Sequence, residues 1–179
     1  MILGVLGDTH VPGRVRSIPH LVFETFRERG VELILCSGDI NTLSTLKELR
    51  KLTPLYAVRG EIDFLDLPEN KIIGVGSIKV GMTHGHEALD EMGREPAVVT
   101  AREMGVDVLV LGHTHELRQE VLNGLLVINP GSATGAWAAA GVVREPSFMV
   151  LDISDRSVTV ETYRIGEEGL EKGTEGHDL

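Results

Sequence analysis

The chain has 179 residues, 42% hydrophobic and only 4% aromatic, with 17 basic against 27 acidic side chains and a formal net charge of −10. That length suits one ordinary globular domain, and the negative balance argues against an electrostatic grip on nucleic acid, which needs clustered Lys and Arg. No apolar run approaches the ~20 residues of a membrane span. The first run, Ile2–Leu6, lacks a basic flank and stops at Asp8, so a soluble, untargeted, cytoplasmic protein is expected, and the single cysteine, Cys36, excludes an intramolecular disulfide and a cysteine-based metal cluster.

The first half repeats one pattern. Ile2–Leu6 is a short unbroken apolar run ending at Gly7-Asp8, the mark of a buried strand that delivers a polar loop at its carboxyl end. A helix over about Pro19–Arg29, with Leu21, Val22 and Phe26 on its apolar side, leads through Gly30 to the run Val31–Cys36 and the loop Ser37-Gly38-Asp39. A second helix, roughly Leu43–Leu52, precedes the run Leu55–Val58 and the loop Arg59-Gly60-Glu61-Ile62-Asp63. Strand, helix, strand, helix, strand is the rhythm of a parallel sheet with its loops gathered at one end.

The second half changes character. Lys71–Val75 and Ile78–Thr83 read as a hairpin that runs into Thr83-His84-Gly85-His86. A helix over about Pro96–Met104 is followed by the strand Val106–Leu111 and by Gly112-His113-Thr114-His115. The remaining strands, Leu117–Leu122, Leu125–Ile128, Phe148–Ile153 and Ser157–Tyr163, have antiparallel spacing, and Ala133–Gly141 reads as a loop. An α/β fold of two packed mixed β-sheets flanked by helices accommodates both halves. One domain over residues 1–165 is expected. Residues 166–179 carry five acidic residues and one Lys with only Leu170 and Leu179 apolar, a composition that predicts a disordered tail.

Chemistry concentrates after the strands. Asp8-Thr9-His10, Gly38-Asp39, Gly60-Glu61, His84-Gly85-His86 and His113-Thr114-His115 each follow a predicted strand, and carboxyl ends of parallel strands are where ligands bind. Five of the seven histidines lie in these loops together with three carboxylates. Mixed nitrogen and oxygen donors suit Mn²⁺, Zn²⁺ or Fe²⁺ better than Mg²⁺ or Ca²⁺. Eight donors exceed the shell of one ion, so two divalent ions are implied, the arrangement that serves in-line attack on a small phosphate ester.

These motifs, GDxH, GD, a Gly-led third loop, a lone His and GHxH, resemble the calcineurin-like metallophosphoesterases. Within that superfamily the chain looks most like the small metallophosphoesterase-fold subunit of retromer and the compact prokaryotic phosphodiesterases. The stretches Leu6–Pro12, Val58–Asp63, Ile128–Ala136 and Pro146–Asp152 carry that likeness. The resemblance implies a binuclear phosphodiesterase-type hydrolase with one metal on Asp8, His10, Asp39 and His115. The other would take Asp39 as a bridge with Glu61, His84 and His113, while His86 and Asn129 border the site as further catalytic residues. It also implies a protein partner on an apolar surface including Val150 and Tyr163, although ordinary covered strand residues are the competing reading there.

Two positions depart from the family pattern. Glu61 stands where Asn is usual, so two divalent ions, Asp8, Asp39, Glu61 and a hydroxide sum to zero charge rather than +1, which predicts weak substrate binding. Ile62 stands where many relatives place a proton-donating His, which predicts activity confined to good leaving groups unless His86 substitutes. A scaffold with a structural or vestigial metal site is therefore the alternative to an enzyme of low activity.

Overall fold

A computed structural model of the protein describes residues 1–86, 94–138 and 141–179. In chain order the elements are β1 (Ile2–Leu6), α1 (His20–Glu28), β2 (Leu33–Cys36), α2 (Leu43–Arg50), β3 (Leu55–Ala57), β4 (Asn70–Val75), β5 (Ile78–Thr83) and α3 (Arg94–Met104). They continue with β6 (Val108–Val110), β7 (Leu117–Leu122), β8 (Leu125–Pro130), β9 (Ser147–Ser154), β10 (Ser157–Gly166) and β11 (Gly169–Asp178).

Two mixed sheets pack face to face with helices outside, as the sequence pattern anticipates. One has the order β11-β10-β9-β1-β2-β3 and the other β4-β5-β6-β8-β7. Side chains alternate across each strand, so Leu3 and Val5, Leu33 and Leu35, and Met149 and Leu151 face the other sheet. There they meet Val80, Met82, Val108, Val110, Leu126 and Ile128. The opposite residues of the first sheet, Leu6, Ile34, Cys36, Phe148 and Val150, pack on Val22 and Phe26 of α1 and Leu46 and Leu49 of α2. Ala97 and Ala101 of α3 cover Leu109 and Val127 on the outer face of the second sheet.

Strand direction is what positions the loops. β1, β2 and β3 run parallel in one sheet, and β5, β6 and β8 run parallel in the other. The expected antiparallel spacing holds for β7 with β8 and for β9 with β10, and on its other side β8 runs parallel to β6. The turn at Asn123-Gly124 fixes only the first partner, while the second is chosen by burial of β8 in the middle of the sheet.

Two expectations are corrected. Residues 169–178 form β11, paired with β10 along its whole length from Gly166↔Gly169 to Ser157↔Asp178. Apolar content is a poor guide to an edge strand, which is held by ladder hydrogen bonds and side-chain anchors. Lys172 donates to Glu161 at 2.6 Å, Gln119 donates to Glu175 at 3.0 Å, and Leu179 packs against the inter-sheet core. Val150 and Tyr163, assigned to an exposed apolar surface, are buried: Tyr163 stacks on Phe148 with ring centroids 4.9 Å apart and its hydroxyl donates to Glu161 at 2.8 Å. Both point under α1, so neither is part of an exposed patch. No helix among the described residues is long and apolar enough to cross a membrane. Of Ala133–Gly141, residues 133–138 and 141 lie outside helix and strand, and residues 139 and 140 lie outside the described residues.

Candidate metal centre

The loops after β1, β2, β3, β5 and β6 meet at one edge of the sandwich, between the two sheets. Their glycines are required by close approach. A Cβ on Gly60 would fall 2.0 Å from Asp39 Oδ1 and 2.2 Å from the Asp39 nitrogen, and one on Gly112 would fall 2.8 Å from Asp8 Oδ2. The polar residues adopt unusual backbone: Asp8, His10, Asp39, His113 and His115 all have φ between 49° and 67°. Non-glycine residues in this region cost roughly 1–3 kcal/mol each and persist where the surroundings over-determine them. Here the loops are pinned by Asp8 N donating to Gly38 O at 3.0 Å, His10 N to Asp39 O at 3.0 Å and Gly112 N to His84 O at 3.1 Å.

Two buried triads offer ligand atoms within 4.8 Å of one another, Asp8-His10-His115 and Asp8-Asp39-His84. Asp8 is common to both. Asp39 Oδ2 lies 3.6 Å from the Nε2 atoms of both His10 and His84, while its Oδ1 accepts from the Ile62 N–H at 3.1 Å. The histidine tautomers are set by backbone carbonyls: His84 Nδ1 donates to Ser37 O at 2.8 Å and His115 Nδ1 to Ala136 O at 2.7 Å. Each therefore presents its Nε2 lone pair to the cluster. His84 Nε2 is buried with no hydrogen-bond partner, and the Nε2 atoms of His10 and His115 face each other at 3.1 Å. The unpartnered His84 nitrogen, buried beside Asp8 and Asp39, fits a cation-binding site, so these residues suit a divalent metal.

Electrostatics divide the site. Burial, reinforced by the Arg14 charge, lowers His10 to about 4 and keeps it neutral at physiological pH. Burial also works against a charge on His115, but the hydrogen bond and charge of Asp8, 3.3 Å away, raise it. Burial raises the Asp39 carboxyl against the opposing pull of His84 and the Ile62 N–H.

The remaining expected residues sit further out. His113 Nδ1 is 3.7 Å from Glu61 Oε2, and the Glu61 side chain is 55% exposed. Burial, with His84 beside it, lowers His113. The His86 ring is 5.5 Å from that of His84 and 6.3 Å from that of His113. Asn129, expected to border the substrate, has its amide committed elsewhere. It donates to Gly112 O at 2.8 Å and Thr114 Oγ1 at 3.1 Å and accepts from Gly131 N at 2.9 Å, which makes it a positioning residue for the 112–115 loop. Sequence reasoning missed Asp63, whose carboxylate accepts from Asn41 N at 2.6 Å and Gly60 N at 2.9 Å. It also missed Ser132, which donates to Asp8 O at 2.7 Å. Neither bears a motif signal, because each acts through the backbone of a ligand-bearing loop.

A sequence model of the calcineurin-like phosphoesterase superfamily domain matches residues 1–156. A protein of Methanothermobacter thermautotrophicus named a probable metallophosphoesterase is 36% identical over 169 residues, 93% of this chain and 94% of that one. The chain belongs to the calcineurin-like phosphoesterase superfamily. Among solved structures it is similar to wild-type Vps29 from Entamoeba histolytica complexed with Zn²⁺, at TM-score 0.91 and 32% identity over 98% of this chain and 99% of that one. Vps29 of Chaetomium thermophilum, complexed with a cyclic peptide, matches at TM-score 0.83 and 28% identity over 99% of this chain and 97% of that one.

Proposed function

We propose that the protein is a binuclear metal-dependent phosphoesterase of the phosphodiesterase type, with low turnover. The observation that carries this reading is the pair of buried triads sharing Asp8, with Asp39 Oδ2 equidistant from two imidazole nitrogens of fixed or neutral state. One ion of Mn²⁺, Zn²⁺ or Fe²⁺ would be held by Asp8, His10, Asp39 and His115, and the second by Asp39, Glu61, His84 and His113. When bound, such ions supply Lewis acidity toward a phosphoryl oxygen and lower the pKa of water.

The chain's own residues limit the rate. Ile62 carries no proton to give a departing alkoxide, and the Glu61 carboxylate adds a negative charge where a phosphate must approach. In this reading His86, whose ring lies 5.5 Å from that of His84 and 6.3 Å from that of His113, would deliver the proton to the leaving oxygen. A missing general acid costs typically ~10²–10⁴-fold, so substrates with good leaving groups are favoured. The test is hydrolysis of bis-p-nitrophenyl phosphate with Mn²⁺ beside Asp39→Asn. Turnover above the variant supports the reading, and equal rates with metal bound overturn it.

A second reading, a scaffold for a protein partner, is favoured by Phe64. This side chain is 98% exposed on the loop that carries Glu61 and Ile62, and the similarity to Vps29, which one structure shows holding a cyclic peptide, points the same way. Under it the metals hold the loops together.

A further inference from the structure

Arg14 is the cation beside the centre, and no motif reading used it. It lies in the loop after β1, one turn beyond His10, where its backbone N–H donates to His10 O at 2.8 Å. The guanidinium rests 4.1 Å above the ring of Trp137, and Nη1 donates to the Trp137 carbonyl at 2.6 Å. The same Nη1 lies 3.2 Å from His10 Nε2, at the mouth of the buried triads. Among the described residues no carboxylate pairs with it, and its Nε and Nη2 have no hydrogen-bond partner, although the chain carries a net charge of −10. A stacked, anchored arginine with free donors and no acidic partner is a built anion-binding group, because its fork matches two oxygens of a phosphate. Trp137 is half exposed and otherwise unexplained; its ring serves as the shelf that holds the guanidinium, and the preceding Ala136 carbonyl fixes the His115 tautomer. One short segment, 136–137, thus orients a metal-facing imidazole and the arginine together.

We infer that Arg14, clamped on Trp137, grips the phosphoryl oxygens of substrate and product at the rim of the metal centre. The inference rests on the phosphoesterase reading for its substrate, and it accounts for how an anion is attracted although Glu61 cancels the excess positive charge expected of the centre. Once His10 Nε2 is engaged by a cation, the Nη1–H directed at it is free to join the other donors on the phosphate.

The experiment is calorimetric binding of inorganic phosphate to the Mn²⁺-loaded full chain, with Mn²⁺ affinity measured separately by electron paramagnetic resonance. Arg14→Gln is expected to weaken phosphate binding about tenfold or more, Arg14→Lys less, and Trp137→Ala to an intermediate degree, with Mn²⁺ affinity not weakened. Phosphate affinity unchanged in Arg14→Gln overturns the inference and leaves the phosphoesterase reading standing, as does a parallel loss of Mn²⁺. Arg14-dependent phosphate binding without hydrolysis of any ester upholds the inference and sinks that reading. A metal-loaded wild type that binds no phosphate overturns both. Should Arg14→Gln fail to fold, as judged by its melting transition, Trp137→Ala decides, since it removes the shelf and leaves the arginine.

Discussion

The two halves of the centre differ in kind. Asp8, His10, Asp39, His84 and His115 are all buried, with the tautomers of His84 and His115 held by backbone carbonyls, whereas Glu61, His113 and His86 reach toward solvent. The inner half is built from strand ends that both sheets enclose, so its geometry is set by packing. The outer half is built from a loop at the sheet's third strand and from the rim, so its geometry follows side-chain chemistry. The departures from the family pattern, Glu61 and Ile62, fall in the outer half, and the inner half retains all of its expected donors. Under the phosphoesterase reading proposed above, a relaxed outer half on an intact inner half is expected to bind metal well and turn over poorly.

The strongest way to break this comparison is to disable the inner half. Asp39→Asn is expected to lower Mn²⁺-dependent hydrolysis of bis-p-nitrophenyl phosphate by about 10³-fold, with metal content reduced and the melting temperature preserved. Gly60→Ala reaches the same carboxylate from behind. A Cβ 2.0 Å from Asp39 Oδ1 must displace it, so hydrolysis is expected to fall about 100-fold. Thermal unfolding of that variant should show a loss of about 1–3 kcal/mol. Glu61→Asn acts on the outer half in the opposite direction: removing one negative charge is expected to lower KM for a phosphodiester about 3- to 10-fold, in steady-state kinetics at fixed metal. An unchanged or raised KM would show that the outer half does not govern substrate affinity.

A smaller effect, away from both halves, controls for general stability. Burial raises the Glu161 carboxyl, but hydrogen bonds from Lys172, Arg29 and Tyr163 prevail and hold it below the usual carboxylate range. A depressed carboxyl contributes stability that is present above about pH 4.3 and is lost as pH falls through the folded value. Glu161→Gln is expected to cost about 1 kcal/mol at pH 7, discounted for the partly exposed Arg29 and Lys172. The wild type should approach the variant below pH 4, as followed by melting temperature, with metal content unaffected throughout. The Cys36 thiol, raised well above its usual range by burial, should stay unreactive in the same samples.

The strand-loop repeats of the first half and the GHxH loop were legible because each ligand follows an unbroken apolar run, and burial at the strand end dictates that order. The tail was misread because β11 is stabilised by ladder bonds and by Lys172 to Glu161, neither of which composition records. For Val150 and Tyr163 the resemblance suggested an apolar partner surface and left a covered strand face as the competing reading, which the structure bears out, since period-two alternation names a face of the strand without saying what covers it. Asn129 was expected at the site because the family resemblance implies it, and its amide bonds Gly112 O and Thr114 Oγ1 of the 112–115 loop and the nearby Gly131 N–H.

The sequence by itself determined the α/β class, the order of the elements through β10 and the presence of Asp8, His10, Asp39, His84 and His115 as groups that could hold metal, since these depend on hydrophobic period and donor chemistry along one chain. Only the tertiary structure decided that the ends of five parallel strands from two sheets meet, that Asp8 joins both triads with Asp39 beside it, and that Arg14 is stacked on Trp137 at the rim. Those facts are distances between residues up to 123 positions apart, which packing sets and local pattern does not.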